Sequence, residues 1–343
     1  MSIILLDLLW LTIGGVGLYG GIRIWRSPRF KEAKEVIWSR RRVRIALYVI
    51  LAYLFIGFLS RIQLPMNEVR TPDLLDLIFY STPVERTYSA PFADSITGIR
   101  ILPAEAELNR VKGIHLFGTD INGNDLLKQV LKGAGTALTL ALGTSAVALP
   151  LGVLLGILAG WFGGIVDDLI QWLMSTVASI PWLLFVIAFL MVFGRGMLWI
   201  CLAIGLTSWV GTSRMIRGET LKQKNLDYVT AARAAGISTA GILLRHILPN
   251  VRYLIIIDFT LSASSVILAE TVLTFIGIGV EPGTASWGIM LVEAEKELMR
   301  SPPIWWVFAG SAFAGIFPLV LSLNVFGDAL RDALDPRTAS LKK

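Results

Sequence analysis

Charge is scarce in this sequence. Only 16% of its 343 residues are Asp, Glu, Lys or Arg, well below the share of an average soluble domain. A single cysteine, Cys201, lies in an apolar run, so neither a disulfide framework nor a thiolate metal site can be assembled from the chain. The two histidines, His115 and His246, stand too far apart for a metal pair, and with Cys201 they occupy separate segments that lack the neighbours of a catalytic site. No glycine loop ending in Lys-Ser or Lys-Thr is present, which removes the phosphate cradle of an ATPase. The start has neither the basic region nor the cleavage site of a secretory signal, and Asp7 interrupts its first apolar run.

What the chain holds in excess is apolar surface. It is 55% hydrophobic with a mean hydropathy of +0.68, which predicts an all-α polytopic membrane protein. The net charge of +6 sits beside hydrophobic runs, the pattern of membrane flanks rather than of nucleic-acid binding. Residues 3–22 are long enough to cross a hydrocarbon layer of about 30 Å and read as an uncleaved anchor. The basic stretch that follows, up to Arg44, is cytoplasmic by the positive-inside rule and available to lipid headgroups, which places the N-terminus outside. Residues 1–44 are thus an anchor helix with a basic linker, and residues 45–62 are a second span. Residues 63–132 form an extracytoplasmic stretch broken by Pro65, Pro72, Pro83, Pro91 and Pro103. It closes on a turn at Gly118, Thr119 and Asp120 and an amphipathic helix starting near Asn124 or Asp125. Asp120 and Asp125 partly resemble a calcium loop, but the downstream glutamate is missing, so the pattern reads as turn and cap.

Residues 133–326 carry the remaining spans. The first, residues 134–161, contains Pro150 and a face of Gly143, Gly152, Gly156 and Gly160 suited to close helix packing. Residues 169–193 are read as one span with Pro181 inside it. Residues 198–210 form a short span whose exit is marked by Arg214, Arg217, Lys222 and Lys224. Residues 253–278 contain two acids, Asp258 and Glu270. Twelve residues at about 100° each put these acids roughly 120° apart, so a paired proton relay is disfavoured. Ser286, Trp287 and Gly288 open a re-entrant or interfacial helix, residues 307–326 form the last span around Pro318, and residues 327–343 are a cytoplasmic tail. Between the spans at 198–210 and 253–278 lies a wetter stretch, 227–250. Its alanines favour a helix, Gly236 bends it, and a second helix runs to a stop at Pro249. Held between two spans on the cytoplasmic side, it is built to dock into a partner.

From residue 118 to residue 337 the chain resembles the C-type permease subunit of bacterial ABC importers for dipeptides, oligopeptides and nickel. The stretch 227–250 matches the family's cytoplasmic signature at Ala231, Ala232, Gly236, Leu248 and Pro249, with Asp227, Tyr228, Arg233, Arg245, His246, Ile247 and Asn250 around them. Gly118, Thr119 and Asp120 agree as well, as do Gly163, Gly164 and Asp167. So do Glu270 with Phe275, Ile276 and Gly277, then Ser286, Trp287 and Gly288, and finally Leu334 to Arg337. The resemblance implies the type I importer permease fold, six core spans with the N-terminal helix in addition. It implies a second permease subunit, two ABC ATPase subunits that bind ATP and magnesium, and an extracytoplasmic binding protein, with no cofactor on this chain. It assigns ATPase coupling to Asp227, Tyr228, Thr230, Ala231, Ala232, Arg233, Ala234, Gly236 and Pro249. An outer-face motif falls on Gly118, Thr119, Asp120, Asp125, Ser286, Trp287 and Gly288, and Asp258, Glu270 and Trp172 are pathway candidates.

Some positions depart from the family pattern. Thr230 stands where an acid opens the signature, Gln171, Trp172 and Ser175 replace a Met-Arg and a later Asp, Asn124 replaces an arginine, and Asp258 falls where an apolar residue is usual. These departures keep open a permease for nickel or another small solute. An ion-coupled secondary transporter using Asp258 and Glu270 would also need an internal repeat, and the halves show none.

Overall fold

The computed structural model describes residues 38–62, 73–97 and 109–334. The anchor read at 3–22, most of the basic linker and the tail from residue 335 fall outside the described residues. Ten helices are used below. They are α1 (Arg41–Leu59), α2 (Leu74–Ile78), α3 (Leu126–Phe162), α4 (Gly164–Ser179), α5 (Trp182–Phe193), α6 (Met197–Gln223) and α7 (Asp227–Ala234), followed by α8 (Thr239–Phe275), α9 (Trp287–Leu298) and α10 (Trp306–Leu334). Among the described residues β pairing is limited to isolated bridges such as Ser89 with Ile96. Helices α1, α3, α8 and α10 are long and apolar enough to span a membrane, and α4 with α5 makes a fifth, bent candidate.

Four boundaries differ from the sequence reading, each for a local reason. The outer amphipathic helix and the span at 134–161 are one helix, α3, because Gly133 and Gly135 are contact points within it and do not break it. A Cβ at Gly133 would meet the Trp287 indole at 2.6 Å. The span read at 169–193 is instead two helices bent by 84°. Ile180 before Pro181 adopts φ −83° and ψ 122°, the extended geometry that a following proline imposes. The short span at 198–210 belongs to α6, which continues through Arg214 and Arg217 to Gln223. Pro249, finally, does not stop a helix.

A wide π turn, Leu243–Ile247, precedes Pro249, and the amide of Leu248 donates to the carbonyl of Leu243 five residues back. Widening the turn accommodates a ring that has no N–H to give, so α8 runs on into the span. The same device recurs in α10, where the π turn Gly310–Ile316 precedes Pro318 and Phe317 donates to Ala312.

The chain divides into two compact units. Among the described residues the first comprises 38–43, 141–266 and 324–334, the second 44–62, 73–97, 109–140 and 267–323. In the first unit the glycine face of α3 meets α6. A Cβ at Gly152 would lie 2.5 Å from Thr212, at Gly156 2.7 Å from the Ser213 carbonyl, and at Gly160 2.7 Å from Thr220. Helix backbones approach there as the four-residue glycine spacing predicts. In the second unit the indole of Trp287 is the keystone. It is buried, donates to the carbonyl of Val130 at 2.9 Å, meets Tyr53 of α1 edge-on at 5.9 Å and occupies the space left by Gly133 and Gly315.

Candidate functional site

The 227–250 element lies wholly in the first unit. Leu226 is extended, α7 makes two turns, and its end is closed by two backbone bonds: Gly236 N–H to Arg233 at 3.0 Å and Ile237 N–H to Ala232 at 3.1 Å. This paired closure needs a left-handed residue at its corner, and Gly236 supplies it with φ +77°. Ser238 then caps α8, accepting the amide of Gly241 at 3.2 Å.

One side of this element is fixed to the body of the unit. Val229 and Ala232, three residues apart and so on one helix face, are buried with Ile157 and Trp161 of α3, Ile216 of α6, and Ile242, Ile247 and Val251 of α8. The Arg233 guanidinium lies 4.6 Å from the centre of the Trp161 ring. A polar chain locks the other end. The Tyr228 hydroxyl donates to Gln223 at 2.5 Å and accepts from Asn250 at 3.3 Å, Gln223 donates to Glu219 at 2.8 Å, and Asn250 donates to the His246 carbonyl at 2.7 Å.

The opposite side is open. Asp227, Thr230, Ala231, Arg233, Ala234 and Gly236 are exposed, whereas Ala232 is buried and Tyr228 and Pro249 are half-buried. The open surface continues through Ala235, Ile237, Thr239, Ala240 and Leu244, none of which the sequence signature singled out. Their signal was indirect: an alanine on a polar helix is ambiguous until its neighbour Ala232 is known to be buried. Small side chains on a rigid, backed knob leave little conformational entropy to lose on docking.

The remaining candidates fall into separate groups. Asp167 and Arg217 form a bidentate pair with both contacts at 2.6 Å, tying α4 to α6. Read in sequence, one was a motif letter and the other a topology marker. Asp258 accepts from the Thr212 hydroxyl of α6. Glu270 is 3% exposed, and one of its oxygens accepts from Thr274 at 2.8 Å and Ser286 at 2.7 Å. Trp172 is exposed on α4.

The outer-face motif is gathered in the second unit. Thr119 accepts the Ser89 amide at 2.6 Å, donates to the Thr87 carbonyl at 2.9 Å, and receives the Trp306 indole on its own carbonyl at 3.1 Å. Asp120 accepts the amides of Asn122 and Asn124 and the side-chain amide of Gln129. Asp125 accepts the Lys128 amide at 2.9 Å as an ordinary cap and faces His115 at 2.8 Å. Ser286 caps α9 through the amide of Gly288 at 3.0 Å while it donates to Glu270. Gly118 and Gly123 admit no side chain, since a Cβ at Gly123 would lie 1.9 Å from the Glu85 carbonyl.

Residues 152–340 match the model of the family described as binding-protein-dependent transport system inner membrane component. The chain belongs to this family. It is 35% identical over 227 residues to the oligopeptide transport system permease protein OppC of Haemophilus influenzae, covering 66% of this chain and 72% of that protein. With the OppC of Escherichia coli the identity is 38% over 223 residues, 65% of this chain and 72% of the relative. The dipeptide transport system permease protein DppC of Lactococcus lactis aligns over 328 residues at 30% identity, covering 92% of this chain and 90% of its own. That last alignment leaves too little out to omit everything before Gly118, so part of the outer stretch and N-terminal region of this inner membrane component has a counterpart in a relative. The chain is a multi-pass membrane subunit of an ABC importer with the type I permease fold.

Proposed function

We propose that this chain is the C-type permease of an ATP-driven importer of dipeptides or oligopeptides. The names of these relatives give peptides as their cargo, which supports that class over nickel or another small solute. In this reading it forms half of the translocation pathway with a second permease subunit and receives cargo from an extracytoplasmic binding protein. Two ABC ATPases bind ATP with magnesium and do the hydrolysis. The N-terminus is outside, and the 227–250 element and the C-terminus are cytoplasmic.

The observation that carries the reading is the two-sided construction of α7. Its outer face is small and open, and its inner face, through Val229 and Ala232, is packed on α3, α6 and α8. Force applied by an ATPase to the open face passes into three long helices, since a packed core of this kind moves as a body and does not deform locally. Thr230 holds the place of the usual acid, so docking here depends on shape more than on an ion pair.

Ala234→Trp tests this. Ala234 is exposed, so the variant is expected to insert and assemble its own core normally, while cargo-stimulated ATP hydrolysis by the reconstituted importer falls at least tenfold. Stimulation equal to the unaltered complex would overturn the assignment. Ala232→Trp is the contrast: it disrupts the internal packing and lowers thermal stability of the isolated subunit.

A further inference from the structure

Asp258 sits in a membrane-spanning helix with a carboxylate that forms no ion pair among the described residues. The Thr212 hydroxyl is bonded to it, and Ser262 lies beside it one turn along. Asp258 and Ser262 are half-buried and Ser265, one further turn on, is exposed. Offsets of four and three residues place the three on one face of α8. Within this unit the face has a floor, because Thr212 is buried and packed over Gly152, and it opens at Ser265.

A carboxylate and two hydroxyls along an open helix face are costly against hydrocarbon, by about 2.5–3.5 kcal/mol for the acid alone on insertion scales. Such a stripe belongs against water or a polar partner. An unpaired carboxylate there selects for positive charge, and the hydroxyls can accept further N–H groups but contribute no competing charge.

We propose that the face of α8 bearing Asp258, Ser262 and Ser265 lines the conducting path, and that Asp258 receives a positively charged side-chain nitrogen of the cargo, a lysine ammonium or an arginine guanidinium. Thr212 is a positioning residue that holds the carboxylate toward the open face. This assignment rests on the importer-permease reading, and it makes Asp258 a specificity determinant.

Two measurements on the complete importer in proteoliposomes decide it. Cys201→Ser supplies a background without thiols, and Ser265→Cys in that background is expected to react with a membrane-impermeant cationic thiol reagent while Ser265→Cys with Asp258→Asn reacts several-fold more slowly. An unreactive Ser265→Cys, or a rate indifferent to Asp258, overturns the proposal by showing a lipid or subunit contact. In uptake, Asp258→Asn is expected to raise KM for a lysine-containing peptide about tenfold and leave a peptide of equal length without a lysine side chain less affected, with Asp258→Glu restoring the difference. Equal effects on both peptides, matched by Thr212→Val, would show a helix tie and nothing more. Absence of ATP-dependent uptake of any peptide by the unaltered complex is a different result, and it would remove the importer reading itself.

Discussion

Glu270 illustrates how a single buried carboxyl group can be satisfied without a countercharge. Its one oxygen takes two hydroxyls, and one of these, Ser286, is also the cap of α9, so the carboxyl anchors the start of that helix. Glu270→Gln retains an oxygen for both donors and is expected to leave uptake and stability nearly unchanged. Glu270→Leu strands both hydroxyls and should lower the unfolding free energy of the purified subunit by about 1–3 kcal/mol in a thermal or denaturant melt. Gly236 offers a cleaner case, because a Cβ there meets nothing within 4 Å and only its φ of +77° resists substitution. Gly236→Ala is therefore expected to cost about 1–2 kcal/mol with no change in core packing. The bend at Gly236 was legible in sequence, since a glycine closing an alanine helix carries its own physical reason. The partner of Glu270 was not, because Ser286 lies sixteen residues away beyond a turn and no periodicity links the two.

At the scale of elements, the contact of α3 with α6 depends on the absence of side chains. Gly156→Leu would drive a methyl group into the backbone carbonyl of Ser213, 2.7 Å from the nearest Cβ position, and should destabilise the helix pair by about 1–3 kcal/mol, read as a lowered melting temperature. The small helix α2 is held to α3 by charge: Lys128 reaches Asp76 at 2.9 Å, and Lys132 reaches Asp76 at 2.7 Å and Asp73 at 2.9 Å. Burial works against ionisation of Asp76, but the hydrogen bonds from Lys132 and Lys128 outweigh it and hold the carboxyl well below the usual range. A lowered folded value means that the contribution is complete above the ordinary aspartate value of 3.8 and is lost as pH falls through the lower folded value. Unfolding curves of the unaltered chain and Asp76→Asn should accordingly differ at neutral pH and converge in acid. The glycine face was visible from spacing alone. Continuity through Pro150 and Pro318 was read from the apolar runs around them, but continuity through Pro249 was not, because a proline at the end of a wetter stretch reads as a terminator unless the turn before it widens.

Across the whole molecule, the apolar composition and the order of short motifs were enough to read an importer permease, and the family match over residues 152–340 agrees. Sidedness is the prediction that belongs here. In a Cys201→Ser background, Tyr80→Cys, at a position 86% exposed, is expected to label from outside, and Ala240→Cys only after permeabilisation. Label at Tyr80→Cys from the inner side alone would invert the topology and detach the 227–250 element from any cytoplasmic ATPase. What composition and motifs could not supply was the division of the docking stretch into an inner and an outer face, because α7 is only two turns long and its alanines carry no hydrophobic contrast.

The π turn at Leu243–Ile247 has one more effect, on phase. An ordinary helix advances about 100° per residue, so one extra residue accommodated in a wide turn rotates everything beyond it by that amount relative to what came before. The knob that ends at Leu244 and the face that carries Asp258 are thus set at a fixed angular offset by a single residue of slack. Deleting one residue between 243 and 247 would convert the wide turn to a regular one, leave both ends helical, and turn the Asp258 face by about a quarter of a revolution away from its present side. Because the same rotation turns Val251 out of the core behind α7, such a deletion should lower ATPase coupling together with transport, so that one codon ties the two halves of the subunit's work.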